Sequence, residues 1–437
     1  MKHFAKGMLC GVDSTNRKKE IMTKKTIYCI ILILYGLNNS SLHLFNIQIP
    51  LLIIFGFILL ITLHFEYLSK NKINFKIIKN KIKFFFSKEN GYSLFVIFIW
   101  FFYAMISFFW VESIPDWRAT INFFIVGVFC TITFSLFLRT KKDIFQTFQI
   151  MGIIAIIHNI IGWYEVITQN HLFLNNTNML YWGNRPVSMF YNTNNFAVFL
   201  FISVFILYAL GEESNDLYLK ILFKTAAASS IILVFFSQSR GVIVALILGL
   251  KVFVLLSNIE KIKRYFKQKG VKTIIAKSFL LITISTAAIL YFIFIVNLDV
   301  STADRITKIR NGFVFLFSTN GLGVGAGNIE YWMEVYRQFD LHRYDRNIHS
   351  WWMEILVAYG VVIFILYIVF YYKLFKSNFY KFIKSKNLVD VSFSKAIMCI
   401  MIGFLVASMV PSTLILHIFH WVFWAVVIAF QGTPLEE

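Results

Sequence analysis

The chain has 437 residues, of which 58% are hydrophobic, 18% aromatic and only 15% charged. Soluble domains carry about 25% charged residues, so this composition excludes a soluble globule, a disordered chain, a collagen-like chain and a disulfide scaffold. The formal net charge of +20 would suit a nucleic-acid binder, but its placement along the chain points elsewhere.

In chain order, residues 1–25 read as a basic cytoplasmic tail, in which Met22-Thr23-Lys24-Lys25 would make a natural start. No small-residue cleavage site follows the first apolar run, so this is not a cleavable signal peptide. Apolar runs near the length that crosses a bilayer, about 20 residues, then recur at 26–45, 48–67, 93–110, 119–138, 144–167, 187–210, 221–237, 241–257, 279–297, 350–373, 396–411 and 412–430. Asn38-Asn39-Ser40-Ser41 interrupts the first, and Pro411-Ser412 divides the last pair. The expected fold is all-α: a polytopic integral membrane protein with about twelve transmembrane helices over 26–430. A large extracytoplasmic loop, 298–349, separates helices 9 and 10, and 431–437 is a short cytoplasmic tail.

Lys and Arg set the orientation. With both termini on one side, that side holds 33 of the 42 basic residues and the other side nine. The basic side is the cytoplasm, so the charge is a topology signal and a surface for anionic lipid, and no nucleic acid is expected. The expected location is the cytoplasmic membrane. Cys29, Cys130 and Cys399 lie in apolar runs and Cys10 in the tail, which reads as small hydrophobes without redox work.

The outer basic residues differ in kind. Eight are Arg and one is Lys308, whereas the inner loops use Lys except at Arg17, Arg139 and Arg264. A guanidinium offers a fixed fork for phosphate or carboxylate. Arg337, Arg343 and Arg346 read as ordinary partners of Asp299, Asp304, Glu330, Glu334, Asp340 and Asp345 in the same loop. Arg240, in Ser237-Gln238-Ser239-Arg240-Gly241, must snorkel to the lipid phosphates or hold an anion such as a lipid diphosphate. Arg305 opens Arg305-Ile-Thr-Lys-Ile-Arg310-Asn311-Gly312 and precedes Gly321-Leu-Gly323-Val-Gly325-Ala-Gly327. That run lacks dinucleotide spacing; it reads as tight backbone that a ligand or another helix approaches closely, or as a hinge. His349, before Ser350-Trp351-Trp352, lies where the loop re-enters the membrane and a helix begins. It is either a base or proton carrier or an interfacial residue beside belt tryptophans. Arg185 and the run Asn192-Thr193-Asn194-Asn195 stand beside aromatics, the pairing a carbohydrate site uses. Glu165 belongs to the same face. No metal-ligand spacing and no outer Asp-x-Asp pair occurs, so neither metal nor cofactor is expected.

In order along the chain, "FYNTNNFA", "SQSRG", Arg305 ahead of "GLGVGAGN", and "NIHSWWMEILVAYG" resemble the bacterial O-antigen ligase and polymerase superfamily, most closely its capsule or teichuronic-acid polymerase branch. The agreement covers about 187–365, and the span count agrees over the whole chain. The resemblance implies chemistry on undecaprenyl-diphosphate-linked glycans outside the cytoplasmic membrane, without nucleotide sugar or metal. Carried over by position, Arg240 and Arg305 would hold the diphosphate leaving group and His349 would be the base on, or would position, the acceptor hydroxyl. Arg310, Arg185, Asn192, Asn195, Gly323, Gly325 and Trp351 are the substrate-binding candidates. The sequence departs from the family pattern in Ile309, where Trp is frequent four residues after the loop Arg, in His349-Ser350 for the common His-Asn pair, and in Arg310 as a rival of Arg305.

The expected function is polymerisation of lipid-linked repeat units, with membrane lipids, a flippase and a chain-length regulator as further partners. A ligase that moves finished glycan to another acceptor shares the motifs. A flippase would need ionisable groups at mid-membrane; the spans hold few, among them His158, Asn159, Lys251, His417 and His420. A scaffold subunit would leave Arg240, Arg305 and His349 individually replaceable.

Overall fold

The computed structural model describes residues 35–36, 90–173, 183–259, 300–341 and 345–434. The basic tail, the expected spans 48–67 and 279–297 and nearly all of 26–45 lie outside the described residues, as do Trp182, His342 and Arg343.

The described elements are helices: α1 Gly91–Ile106, continued by a 3₁₀ turn Ser107–Phe109, α2 Ile114–Phe137, α3 Lys141–Thr168, α4 Thr193–Glu213, α5 Leu217–Phe236, α6 Arg240–Ser257, α7 Val300–Ser318, α8 Ile329–Val335, α9 Trp351–Lys384, α10 Leu388–Ala407 and α11 Ile418–Gln431. No strand occurs among the described residues. Among the described residues eight helices, α1 with its 3₁₀ continuation, α2 to α6, α9 and α10, are long and apolar enough to cross a membrane. This is an integral membrane protein.

Local chemistry sets the helix starts. Thr140 and Asp143 exchange side-chain and backbone hydrogen bonds in a capping box at α3. Asn192, Asp216, Ser350 and Asn387 accept first-turn N–H groups of α4, α5, α9 and α10. Each satisfies donors that a helix start leaves without an intrahelical partner.

Helix α4 is apolar on every side and almost wholly buried, the pattern of a central helix. In lipid the helices gain little from excluding water from one another, so close packing must hold them. Two glycines permit it: a Cβ at Gly403 of α10 would stand 2.4 Å from Phe201 Cζ, and one at Gly249 of α6 would stand 2.6 Å from Phe205 Cζ. Outward-facing Phe102, Ile160, Ile232, Val254 and Val362 provide the apolar surface that lipid covers.

The expected loop 298–349 is partly helical. Helix α7 was not visible to hydropathy because Asp304, Arg305, Lys308 and Arg310 dilute its apolar face. The expected last span starts later than the apolar run: 408–417 is irregular and α11 has 14 residues. At 1.5 Å per residue that is about 21 Å, short of the roughly 30 Å hydrocarbon core.

Helix α9 is broken at Gly360, where φ is 77° and ψ 177°. A continuous helix would use the carbonyls of Val357 and Ala358 for the N–H groups four residues on. Here they accept from Val324 and Gly325, each at 2.9 Å, while the Val361 N–H donates to the Gly321 carbonyl at 3.0 Å. Non-helical backbone at membrane depth is tolerated only where protein satisfies it, and the glycine-rich segment does so. A Cβ at Gly323 would lie 2.6 Å from the Gly360 nitrogen. The close approach that the glycine spacing predicts is thus the approach of another helix, and Gly323 and Gly325 are buried rather than open to solvent.

Candidate functional site

The turns after α1, α3 and α5 and the starts of α2, α4, α6, α9 and α11 share one end of the bundle. The asparagine run and the Ser-Gln-Ser-Arg-Gly turn, remote in sequence, meet there. Ser239 Oγ donates to Asn194 Oδ1 at 2.9 Å, and Thr193 Oγ1 donates to the Ser237 carbonyl at 3.2 Å. Asn192 caps α4 by accepting the Asn194 N–H at 2.8 Å. Asn195 is buried, and its Oδ1 has no hydrogen-bond partner. Exposed Arg240 opens α6.

Glu165 holds the segment that follows half-buried Arg185. One of its carboxylate oxygens accepts the N–H groups of Val187 and Ser188, both at 2.8 Å. The other lies 3.5 Å from His171 Nδ1. This contact with Glu165 raises the His171 pKa, against burial, with help from the Gly183 carbonyl. His158, one of the few polar groups within a span, bonds to Ser188 Oγ and to the Gly36 carbonyl, both at 2.9 Å.

Three motifs converge on three consecutive residues. The Trp351 N–H, two residues after His349, donates to the Ser408 carbonyl at 2.9 Å. Arg305 Nη1 donates to the Met409 carbonyl at 3.3 Å. Gly241, next to Arg240, packs on Val410 so tightly that a Cβ would stand 2.4 Å from Val410 Cγ2. The stretch Ser408-Met409-Val410 therefore spaces the segments that carry His349, Arg305 and Arg240.

His349 is not alone. Its Nε2 bonds to Asp345, and Asp345 in turn contacts Lys308 Nζ at 3.3 Å. Lys308 is 1% exposed and also pairs with Asp304, one helical turn away on α7, at 2.9 Å. Burial alone would raise the Asp345 pKa. The hydrogen bond and charge of His349, the Asn347 N–H and Lys308 outweigh it and hold the carboxyl well below the usual range. An ionised carboxylate at Nε2 favours the tautomer with its proton there. That leaves Nδ1 as the acceptor, and Nδ1 has no hydrogen-bond partner. His349 itself sits at φ 51°, a conformation that costs a non-glycine residue about 1–3 kcal/mol and is commonest at functional sites.

Beside this pair is a cavity of about 260 Å³, walled by Asp116 and Thr120 of α2, Glu330 of α8, Asn347, and Glu354 and Tyr359 of α9. Thr413 bonds to one oxygen of Glu354; the other oxygen, Oε2, has no partner, and neither has the Tyr359 hydroxyl. Desolvation, then the neighbouring charges of Asp345 and Asp116, raise the Glu330 pKa, against the Asn347 hydrogen bond and Arg346.

The remaining candidates separate by environment. Arg310 is exposed on α7. Trp351 is 2% exposed; its indole N–H donates to the Tyr367 hydroxyl at 2.9 Å and its ring meets His420 at 4.7 Å, which places it in the core. Arg346 pairs with Glu334, and Arg337 lies 3.8 Å from Asp340, the ordinary pairing the sequence suggests. Sequence reasoning passed over Lys308, Glu354 and Tyr359. The i,i+4 spacings of Asp304 to Lys308 and of Asp345 to His349 were the readable signal for the charged chain. Among the described residues no group of three His, Cys, Asp or Glu could hold a metal ion.

The comparisons agree with the motifs. The chain is similar to the teichuronic acid biosynthesis protein TuaE of Bacillus subtilis (strain 168), 28% identical over 357 residues, which cover 78% of this chain and 71% of that protein. Residues 225–368, which include Arg240, Arg305, Asp345 and His349, match the family described as O-Antigen ligase. The matched segment spans about a third of the chain and is the one in which the motifs from "SQSRG" onward stand in order.

Proposed function

We propose that this protein polymerises undecaprenyl-diphosphate-linked repeat units on the outer face of the cytoplasmic membrane. Its family and its relative support the broader role of polysaccharide polymerase or ligase. The observation that carries the finer reading is the Asp345–His349 pair, whose second imidazole nitrogen is buried without a hydrogen-bond partner, while the residues just before it, Asn347 and Ile348, line a polar cavity.

In this reading an acceptor sugar hydroxyl attacks the anomeric carbon of the donor glycan. The new glycosidic C–O bond forms as the bond from that carbon to the diphosphate breaks. The lipid diphosphate leaves with the electron pair, and the hydroxyl proton passes to His349 Nδ1. Asp345 orients the imidazole and stabilises the imidazolium. Arg240 and Arg305 face the charge that grows on the leaving diphosphate, where preorganised donors lower the barrier most. Part-buried Arg305, bonded to the Met409 carbonyl, is better supported than exposed Arg310, and Gly241 packing on Val410 sets Arg240 beside the same stretch. Arg185, Asn192 and Asn195 would flank the glycan, whereas Gly323, Gly325 and Trp351 would act by holding the broken helix in place.

The test is complementation of a strain lacking the gene with wild type, Arg240→Ala, Arg305→Ala and His349→Ala, each protein's membrane level being checked. Single repeat units accumulating on the carrier support a polymerase. Long chains stranded on the carrier point to a ligase. Full-length surface polymer from all three variants overturns the catalytic assignment.

A further inference from the structure

The cavity beside His349 is acidic in a protein whose net charge is +20. Asp116, Glu330 and Glu354 contribute carboxyl groups, and no Lys, Arg or His lines it. Two of its polar atoms, Glu354 Oε2 and the hydroxyl of Tyr359, a residue 1% exposed, have no hydrogen-bond partner. Buried polar atoms are nearly always paired, so these two point to a group that the protein itself does not supply. No described trio of carboxylates has metal-binding geometry. Carboxylate oxygens accept from hydroxyls, and a phenol both donates and accepts. A diphosphate or an acidic sugar would meet like charge from Asp116 and Glu330 at the rim. The volume, about 260 Å³, falls just below the roughly 300–1,000 Å³ of drug-sized ligand sites, room for one ring.

We infer that this cavity is a subsite for a single uncharged, hydroxyl-bearing sugar ring at the acceptor end of the glycan, and that its carboxylates reject acidic sugars. The assignment to the acceptor rests on the glycosyl-transfer reading above. Glu354 and Tyr359 bind the ring's hydroxyls; Asp116 and Glu330 at the rim supply the charge discrimination. Donor diphosphate and acceptor sugar are thereby sorted by sign, the first to the arginines and the second to the carboxylates.

The experiment uses the full chain in lipid nanodiscs with methyl glucoside, methyl N-acetylglucosaminide and methyl glucuronide as probes, read by saturation-transfer NMR. The expected result is transfer to one or both neutral glycosides and at least tenfold less to the glucuronide. Glu354→Gln and Tyr359→Phe each reduce the neutral signal severalfold. The doubly neutralised Asp116→Asn, Glu330→Gln protein gains glucuronide binding. Tyr359→Phe removes one unpartnered oxygen and keeps the test open should Glu354→Gln not assemble. Equal binding of glucoside and glucuronide by wild type, or wild-type neutral binding by both single variants, overturns the inference. His349→Ala separates the two readings: it retains neutral-sugar binding if the subsite is correct, and only its polymer output reports on the transfer chemistry.

Discussion

Arg305 donates to the carbonyl of Met409, one residue before the valine on which Gly241 closes. The starts of α6 and of the helix carrying Arg305 are therefore referenced to one short backbone stretch, far from both in sequence. His349 joins them through Trp351 and Ser408. Charged groups fixed before substrate arrives need little rearrangement as charge develops, which is where electrostatic catalysis gains most.

That spacing is open to test at Gly241. Alanine is the better helix former by about 1 kcal/mol, so Gly241→Ala should help α6 locally. Its Cβ, however, would meet Val410 at 2.4 Å, and overpacking costs about 1–3 kcal/mol. We expect normal membrane levels with reduced surface polymer, partly restored by adding Val410→Ala. Unchanged polymer from Gly241→Ala would separate the packing from activity.

Asp345 gives a second prediction. Asparagine can present its amide N–H to Nε2 and so move the imidazole proton to Nδ1. The expected loss in single-turnover transfer is about 10²–10⁴-fold, the range of general acid–base catalysis, with donor binding retained. The Asp345 pKa is depressed, so its stabilising contribution is present above the ordinary carboxylate value, about 3.9, and is lost only as pH falls through the lower folded value. The loss in Asp345→Asn should therefore hold across pH 5 to 9. A wild-type rate anywhere in that range would remove Asp345 from the mechanism.

The spans and the site were unequally legible. Apolar runs at 144–167, 221–237 and 241–257 lie within helices α3, α5 and α6 or within a residue of them, because membrane length and hydropathy report the same physical requirement. The order of Arg240, Arg305 and His349 was legible for a different reason: side-chain chemistry survives in the letters. The break at Gly360 was hidden inside Val-Ala-Tyr-Gly-Val-Val, which reads as unbroken apolar helix. Its hydrogen bonds are settled by Gly321, Val324 and Gly325, and no local pattern encodes a partner that distant. The irregular 408–417 segment likewise reads as membrane helix, because the contacts that tie its backbone come from Trp351 and Arg305. Lys308 reads as a surface base until the fold buries it between two aspartates.

Lys308 itself yields a stability prediction. Its ammonium lies 2.9 Å from Asp304, with both side chains almost fully buried. Removing one partner of a buried ion pair costs about 3–5 kcal/mol. Lys308→Met should lower the melting midpoint of the purified protein clearly, and Lys308→Met with Asp304→Asn should recover part of the loss because the remaining charge is gone too. Equal midpoints for wild type and Lys308→Met would show that the pair adds nothing to the fold.

Glu330 predicts the opposite pH trend from Asp345. Its pKa is raised, first by desolvation and then by Asp345 and Asp116. Between the ordinary carboxylate value and the raised one the folded protein holds more protons than the unfolded chain, so stability falls as pH rises through that window and is level above it. Glu330→Gln should remove this slope, leaving the acid midpoint unchanged and the neutral midpoint higher. Melting curves at matched ionic strength from pH 4 to 8 measure it, and parallel curves for the two proteins would contradict the assignment.

The sharpest prediction concerns Gly360. At φ 77° and ψ 177° an alanine would occupy a region open essentially only to glycine, at a cost of about 1–3 kcal/mol. The larger obstacle is steric: its Cβ would stand 2.3 Å from the Gly321 carbonyl oxygen and 2.5 Å from that of Leu322. Both are backbone atoms in a segment that closes the broken helix, so neither can swing aside as a side chain would. Relief requires the Gly321–Gly325 segment to withdraw, which strands the carbonyls of Val357 and Ala358 without donors at membrane depth, where each unsatisfied group costs several kcal/mol. Gly360→Ala should therefore fail to accumulate in the membrane. Val361→Ala, one residue on and 40% exposed, should accumulate normally and support polymer synthesis. A stable, active Gly360→Ala protein would mean that α9 can run unbroken and that the glycine-rich segment is free for another role.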